Sequence, residues 1–446
     1  LSLAKALRLS PSSCVAFVGA GGKSTAMFDL AKEHAGTVIV TATSHLGVWQ
    51  IPLVDFHIAA QDLSSLKHYG LKKEGSILIT GEIEGDRTRP ISAEVLAWLH
   101  SYCRSHSIPL LIEADGSRQK PLKAWADHEP PIPEFIDHVV QVVGMSGLGK
   151  PLTDELVHRA EMFAKLSGLQ IGESITAEAL TKVLTHADGG LKHIPSEARK
   201  SMILNQADTP EVQSVAHALS EDLQPHFQSI LVASLETKVI HAVHEPIAGI
   251  ILAAGESSRF GKPKQLLSWK GEPFVRVVAQ TALRAGLSPV TVVTGAQSER
   301  VEAAVNGLDV KIARNEEWAT GQGSSIGKGV LSLTTASASH GEAAGGAVFL
   351  LADQPQVGTS IIHALKEKHA EGLYAIVAPM VIDQRANPVL FDRETFSDLM
   401  HIDGDTGGRA IFHKYRVEYL PWHDDGLLLD VDTPEQYQRL ISNEDL

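Results

Sequence analysis

Two cysteines, Cys14 and Cys103, in 446 residues leave no disulfide framework and no paired spacing for zinc or an iron–sulfur cluster. A reducing compartment, the cytoplasm, is therefore expected. No apolar run approaches the ~20 residues needed to cross a bilayer, and the opening LSLAKALRLSPSS lacks a signal peptide's long apolar core. Positive charge is scarce as well: 39 Lys and Arg face 53 Asp and Glu, for a formal net charge of -14. That balance disfavours nucleic acid as a general partner and leaves the local basic residues for phosphates. Repeats and low-complexity tracts are absent. What remains, 43% hydrophobic and 21% charged residues, suffices for substantial cores, and the length suits two domains better than one.

The segment Ile251 to Ser268, ILAAGESSRFGKPKQLLS, joins an apolar strand to a glycine turn and two cations. Strand residues Ile250 to Ala253 deliver the backbone to Gly255, which has no Cβ and so lets peptide N–H groups approach phosphate oxygens, and Leu252, Ala253, Ala254 and Gly255 are candidate nucleotide contacts. Arg259 and Lys264, either side of Gly261, can reach one polyphosphate from two directions, Arg as a planar fork and Lys as a point charge. A plain glycine turn with a solvated basic patch is the alternative. Further on, GAVFLLADQP is apolar nearly throughout and ends in Asp353. Ligands in open α/β sheets lie beyond the carboxyl ends of strands. Asp353 is thus placed to hold Mg²⁺ beside phosphate oxygens or to cap the following turn, and the loop upstream favours the metal.

A domain boundary is expected near His241 to Pro246, giving residues 1–245 and 246–446, because a fresh strand and glycine loop start at Ile247. Past it, strands over Ile247 to Ala253, Val290 to Thr294, Ala347 to Ala352 and Ala375 to Ala378 alternate with helices over Phe274 to Ala285 and Ser360 to Ala370. That is the pattern of an α/β domain with a mainly parallel sheet. Thr294 and Gly295, at the end of the second strand, are candidate nucleotide contacts.

The loop, together with NEEWATGQGSSIGKGV (315–330), LLADQPQV (350–357), RANPVLF (385–391), GDTGGRAIF (404–412) and DVDTPEQY (430–437), resembles the molybdopterin nucleotidyltransferases in motif order. Ala254 and ADQP are closer to the molybdenum cofactor cytidylyltransferase branch than to the guanylyltransferase branch. The resemblance implies a Rossmann-like nucleotidyltransferase domain that uses Mg²⁺, takes CTP, and adds CMP to the phosphate of molybdenum-bound molybdopterin, releasing pyrophosphate. It also implies Asp432 as a second metal ligand, although Asp432 precedes Thr433 and Pro434 and could equally be a helix N-cap. On the acceptor side it implies Gly321, Gln322, Ser324, Ser325, Asn387, Asp405 and Arg409. Arg259, Lys264 and Asp353 would carry catalysis by charge neutralisation.

The N-terminal half has its own phosphate loop. Cys14 to Val18 is a short apolar strand; Gly19, Gly21 and Gly22 form the turn; and Lys23, Ser24 and Thr25 begin a helix to about His34. This resembles a P-loop, in which loop N–H groups cradle phosphates, Lys reaches the β and γ groups and a hydroxyl touches Mg²⁺. The pattern is shortened, since the place of its first glycine is Phe17. PLLIEADG ends in Glu113 and Asp115, where Asp115 is the candidate magnesium carboxylate. SMILNQAD offers Asn205 and Asp208 as base readers, with Gln206 in place of a Lys, or else is an ordinary strand-to-turn junction. Together with TATSH (41–45), EADGSRQKPLKA, HEP (128–130) and VHRAE (157–161), these segments resemble the accessory protein associated with selenium-dependent molybdenum hydroxylases. An apo molybdenum hydroxylase as partner, and ATP or GTP in this domain, follow as expectations. Two other functions remain open: a nucleotidyltransferase using GTP or another phosphate acceptor, and a nucleotide-switched carrier that inserts the cofactor.

Overall fold

Runs that are apolar on every position mark strands covered on both faces, and the chain contains two sets of them. The computed structural model describes residues 1–69, 71, 74–256, 260–335 and 344–442. It divides into two compact units, Leu1–His244 and Glu245–Leu446.

The first unit is built on nine strands: β1 (Cys14–Gly19), β2 (Val38–Ala42), β3 (Phe56–Ala59), β4 (Ser76–Thr80), β5 (Leu110–Glu113), β6 (His138–Gly144), β7 (Arg199–Asn205), β8 (Ser229–Ser234) and β9 (Val239–His244). Their order is β9-β8-β7-β6-β1-β5-β2-β4-β3. Only β9 runs antiparallel to its neighbour. All six residues of β1 are buried, as its central place requires. The register sets Gly19 beside Val142 and Phe17 beside Glu113. The glycine loop and the acidic strand end therefore share one edge of the sheet. Both cysteines are free and sit in this unit's core, where burial pushes their thiols up to about 12.

The second unit has eight main strands: β10 (Ile247–Ala253), β11 (Val290–Thr294), β12 (Lys311–Arg314), β13 (Gly346–Leu351), β14 (Ile376–Val381), β15 (Gln384–Arg385), β16 (Val389–Asp392) and β17 (Val417–Pro421). The order β12-β11-β10-β13-β16-β14-β15 carries β17 beside β14. The four strands β12, β11, β10 and β13 are parallel. β16 then enters antiparallel between β13 and β14. Along β10 the side chains alternate between two cores. Ile247, Ile251 and Ala253 pack in one, with Val275, Val278 and Ala282 of helix α1 (Phe274–Arg284). Ala248 and Ile250 pack in the other, with Ile326 and Val330 of helix α2 (Gln322–Thr335). Helices thus cover both faces, and the carboxyl ends of β10 and β13 stay open for ligands.

One buried histidine in the first unit makes a pH prediction. His138 of β6 shares a 2.7 Å hydrogen bond with the Ser201 hydroxyl of β7. Burial, reinforced by Arg199, pulls its pKa down to about 3. The folded chain keeps this imidazole neutral, whereas the unfolded chain protonates it near pH 6.5. Its contribution to stability is complete above pH 6.5 and declines as the pH falls toward 3. Urea unfolding of the transition that covers the first unit should show the parent losing about 2 kcal/mol more than His138→Asn between pH 7 and pH 5. Equal pH slopes would show that His138 takes its proton in the folded state.

Candidate active site

Beyond the open ends of β10 and β13 lies a pocket of about 760 Å³, a size that accommodates a nucleotide. It is lined by Leu252 to Glu256, by Trp318 to Gln322, and by Lys264, Asp353 and Asp432. Lys264 lies on the short helical turn Lys264–Leu266. Its Nζ donates to Asp353 Oδ2 at 2.9 Å and to Asp432 Oδ1 at 2.7 Å. Burial alone would lower this lysine's pKa, but the two carboxylates outweigh it and hold the pKa above its ordinary value. The neighbouring Gln265 is buried, and its side-chain amide donates to the Gly255 carbonyl at 3.0 Å, tying the glycine turn to the lysine turn.

Asp432 does not cap the C-terminal helix α4 (Pro434–Ser442). Helix α3 (Thr359–Gly372) precedes it in the chain. The cap is reciprocal: Thr433 Oγ1 accepts from the Gln436 N–H, while Gln436 Oε1 accepts from the N–H groups of Asp432 and Thr433. The Asp432 carboxylate lines the pocket, where it binds Lys264. Two glutamines that the sequence did not mark as functional hold this segment in place. Gln354 donates to Asp430 Oδ1 at 2.7 Å, and Gln356 donates to the carbonyls of Gly426 and Leu429. Both follow Asp353 in the DQPQ turn, so the turn that ends β13 also grips the chain that carries Asp432.

Other predicted residues separate into groups. Gly321, Gln322 and Ser325 line the main pocket with Asp405. Ser324 turns its hydroxyl to the carbonyls of Glu317 and Gly321. Asn315 donates to Ser324 and Ser325, anchoring the start of α2. Asn387, Asp405 and Arg409 line an adjoining cavity of about 290 Å³ walled by Phe349, Phe391 and Phe412. The two cavities share Leu252, Gln322, Leu351 and Asp405. Thr294 is fully buried, outside the lining of either cavity. Gly295 supports the wall: a Cβ there would lie 2.6 Å from the Ala254 carbonyl oxygen and 2.7 Å from Trp318 Cβ. Arg259 lies outside the described residues.

In the first unit the glycine turn is tightly enclosed. Gly19 has φ +95°, and a Cβ on it would sit 2.2 Å from the Val142 carbonyl oxygen. Lys23 starts the first unit's helix Lys23–Glu33, and its Nζ donates to the Gly19 carbonyl at 2.7 Å. It also pairs with Asp115 at 3.2 Å. Asp115 further accepts from Lys123 at 2.9 Å, from the Trp125 indole at 2.8 Å and from the Gly19 N–H at 3.1 Å. Burial opposes its charge, yet Lys23 and Lys123 bring its pKa below the ordinary value. Asp115 is thus the counter-ion of two buried lysines.

The carboxylate beside the loop hydroxyl is Glu113, which accepts from Ser24 at 2.9 Å and is pushed up by burial. Thr25 is exposed. Asn205 is committed to backbone, donating to the Gly21 carbonyl and accepting from the Leu235 N–H, while Asp208 is exposed past the end of β7. The network continues from Lys123 to Glu129, which is bound by both terminal nitrogens of Arg159.

The open parallel sheet with lysine-bridged carboxylates at its edge gives the second unit a candidate nucleotide site. Residues 249–419 match the MobA-like NTP transferase domain family, and residues 15–161 match the YqeC protein family. The chain joins a YqeC-like unit to a MobA-like NTP transferase domain. The uncharacterized protein YqeC of Escherichia coli K12 is 29% identical over 225 residues, covering 48% of this chain and 83% of the relative. Nicotine blue oxidoreductase of Paenarthrobacter nicotinovorans is 29% identical over 204 residues, 44% of this chain and 96% of the relative. The crystal structure of Rv0371c from Mycobacterium tuberculosis H37Rv is 28% identical, covers 44% of this chain and 98% of that one, and has a TM-score of 0.38. Among the described residues, no helix is long and apolar enough to cross a membrane.

The two readings of Asp115 differ in their consequence for stability. As counter-ion to Lys23 and Lys123, its replacement in Asp115→Asn leaves two buried ammonium groups facing a neutral amide, and the first unit should lose about 3–5 kcal/mol in denaturant unfolding. A loss below about 1 kcal/mol would show that the pair with the lysines contributes little, and would return Asp115 to the role of a metal ligand.

Proposed function

We propose that the second unit transfers CMP from CTP to the phosphate of molybdenum-bound molybdopterin, forming the cytosine dinucleotide cofactor and pyrophosphate. The observation that carries this reading is the placement of Lys264, Asp353 and Asp432 in the large pocket, facing the Leu252–Glu256 turn. The motif order shared with molybdopterin nucleotidyltransferases supplies the substrate class, and Ala254 with the ADQP turn favours cytosine. The adjoining cavity, with its three phenylalanines and Asn387, Asp405 and Arg409, suits a planar polar ring on the acceptor side.

Asp353 and Asp432 fit Mg²⁺, which takes one or two carboxylates and completes its shell with phosphate oxygens and water. The bound ion would withdraw charge from the phosphates. In the transfer itself, an oxygen of the acceptor phosphate attacks the α-phosphorus of CTP in line, the bond from that phosphorus to the bridging oxygen breaks, and pyrophosphate leaves with the electron pair. Lys264 neutralises the departing charge, and Arg259 is proposed as its partner cation. An acceptor phosphate is already ionised near neutral pH, so no protein base is needed.

For the first unit we propose an accessory role in passing the product to an apo molybdenum hydroxylase, with ATP or GTP phosphates on the Gly19–Gly22 turn. Ser24 is the hydroxyl it offers to a metal, with the Glu113 carboxylate reaching it, and Lys23 would have to leave the Gly19 carbonyl and Asp115 to reach a phosphate.

With Mg²⁺ and molybdenum-loaded molybdopterin, the purified chain should release pyrophosphate from CTP about tenfold faster or more than from GTP or ATP. Asp353→Asn should lower that rate by about a hundredfold or more while leaving the thermal transition in place. Preferential use of GTP would overturn the cytosine assignment. Oxidation or reduction of a substrate without pyrophosphate release would replace group transfer by the oxidoreductase chemistry named in the Paenarthrobacter relative.

A further inference from the structure

The ammonium of Lys264 sits where a cation shared by Asp353 and Asp432 would sit, within 2.9 Å of an oxygen of each. An ammonium and a divalent metal cannot occupy that point together. Within the bridge itself, one cation partly offsets two side-chain anions. Lys264 is also able to leave. Its backbone is held by the helical turn and by the neighbouring Gln265, but its side chain has four rotatable bonds and keeps 15% of its surface exposed, against 30% for Asp353 and 48% for Asp432. The pocket it borders is the one lined by the Gly255 turn.

We infer that Lys264 is an exchangeable stand-in for the metal: nucleotide phosphates draw its ammonium away, and only then do Asp353 and Asp432 become free to take a divalent cation. The inference rests on the nucleotidyltransferase reading of this pocket and adds an order of loading to it. Free metal binds poorly while the lysine bridges the carboxylates. Polyphosphate, carrying several negative charges, competes with the two carboxylates for the ammonium, and the vacated carboxylates then recruit the metal against the same phosphates. Metal and nucleotide are therefore coupled ligands, and linkage requires each to raise the affinity of the other by the same factor. The device also keeps two adjacent carboxylates from repelling each other in the empty pocket.

Mn²⁺ is the probe, since its free ion is counted directly by electron paramagnetic resonance. On the full chain, Mn²⁺ alone should bind weakly. Adding a CTP analogue with a non-cleavable α,β-methylene bridge should tighten Mn²⁺ binding about tenfold or more beyond its affinity for the analogue in solution. Lys264→Met should bind Mn²⁺ without nucleotide about tenfold more tightly than the parent does. Equal Mn²⁺ affinity in parent and Lys264→Met, with the parent shown by calorimetry to bind the analogue, would overturn the exchange while leaving the nucleotidyltransferase reading intact. If Lys264→Met does not fold, the parent decides alone: no gain in Mn²⁺ affinity with bound analogue overturns the proposal. Failure of the analogue to bind the parent would remove the nucleotide reading itself, and the coupled loading with it.

Discussion

Lys264 joins two carboxylates that lie 89 and 168 residues further along the chain. That three-membered ion bridge is the constraint on which the chemistry proposed for the second unit depends, because each member is delivered by a different part of the fold. β10 ends in the glycine turn that leads to Lys264, β13 ends in Asp353, and the segment before α4 brings Asp432. The parallel pairing of β10 with β13, Leu252 opposite Leu351, brings the first two to the same edge. The third is brought by Gln354 and Gln356, which bind the chain over 426–430 from the turn after β13. A bridge assembled in this way is partly exposed, and its electrostatic worth lies less in stability than in presenting separable charges to a ligand.

The first unit uses similar ingredients to a different end. A glycine turn, a lysine and a carboxylate at a neighbouring strand end recur, but here Lys23, Lys123 and Asp115 are almost wholly buried. Burial makes the charges interdependent, since desolvation penalises each ion unless its partner stays in place. The contrast between an exposed, exchangeable lysine bridge and an enclosed one follows from where the sheets put them. In the first unit the buried Lys123 and Trp125 both donate to Asp115, two residues past the end of β5. In the second the corresponding edge opens into a large pocket.

Much of this was legible in the chain. β1 and β10 announce themselves as apolar runs ending at glycines, and Lys264 and Asp353 stand out because strand, turn and charge are contiguous in sequence. The boundaries of α1 and α3 were close, since amphipathic spacing marks them. What could not be read depends on contacts across long separations. β16 is four residues long and follows a short turn, so nothing in its local pattern says that it inserts antiparallel between β13 and β14. Gln354 and Gln356 are polar residues in a turn, and their partners lie more than 65 residues away. Asp115 and Glu113 are two acids at one strand end, and only the fold shows that the lysines converge on the first while Ser24 reaches the second. The helix cap at Thr433 was open to two readings until the Gln436 side chain closed the capping box.

On the proposed reading, Lys264 holds the place between Asp353 and Asp432 that a metal takes once nucleotide binds. A crystal structure of the full chain with Mn²⁺ and the α,β-methylene analogue of CTP, with anomalous data collected at the manganese edge, tests it most directly. An anomalous peak between the two carboxylates, with the Lys264 ammonium on a phosphate oxygen, is the expected result. Nucleotide in the pocket with Lys264 still bridging Asp353 and Asp432, and manganese elsewhere, would contradict it.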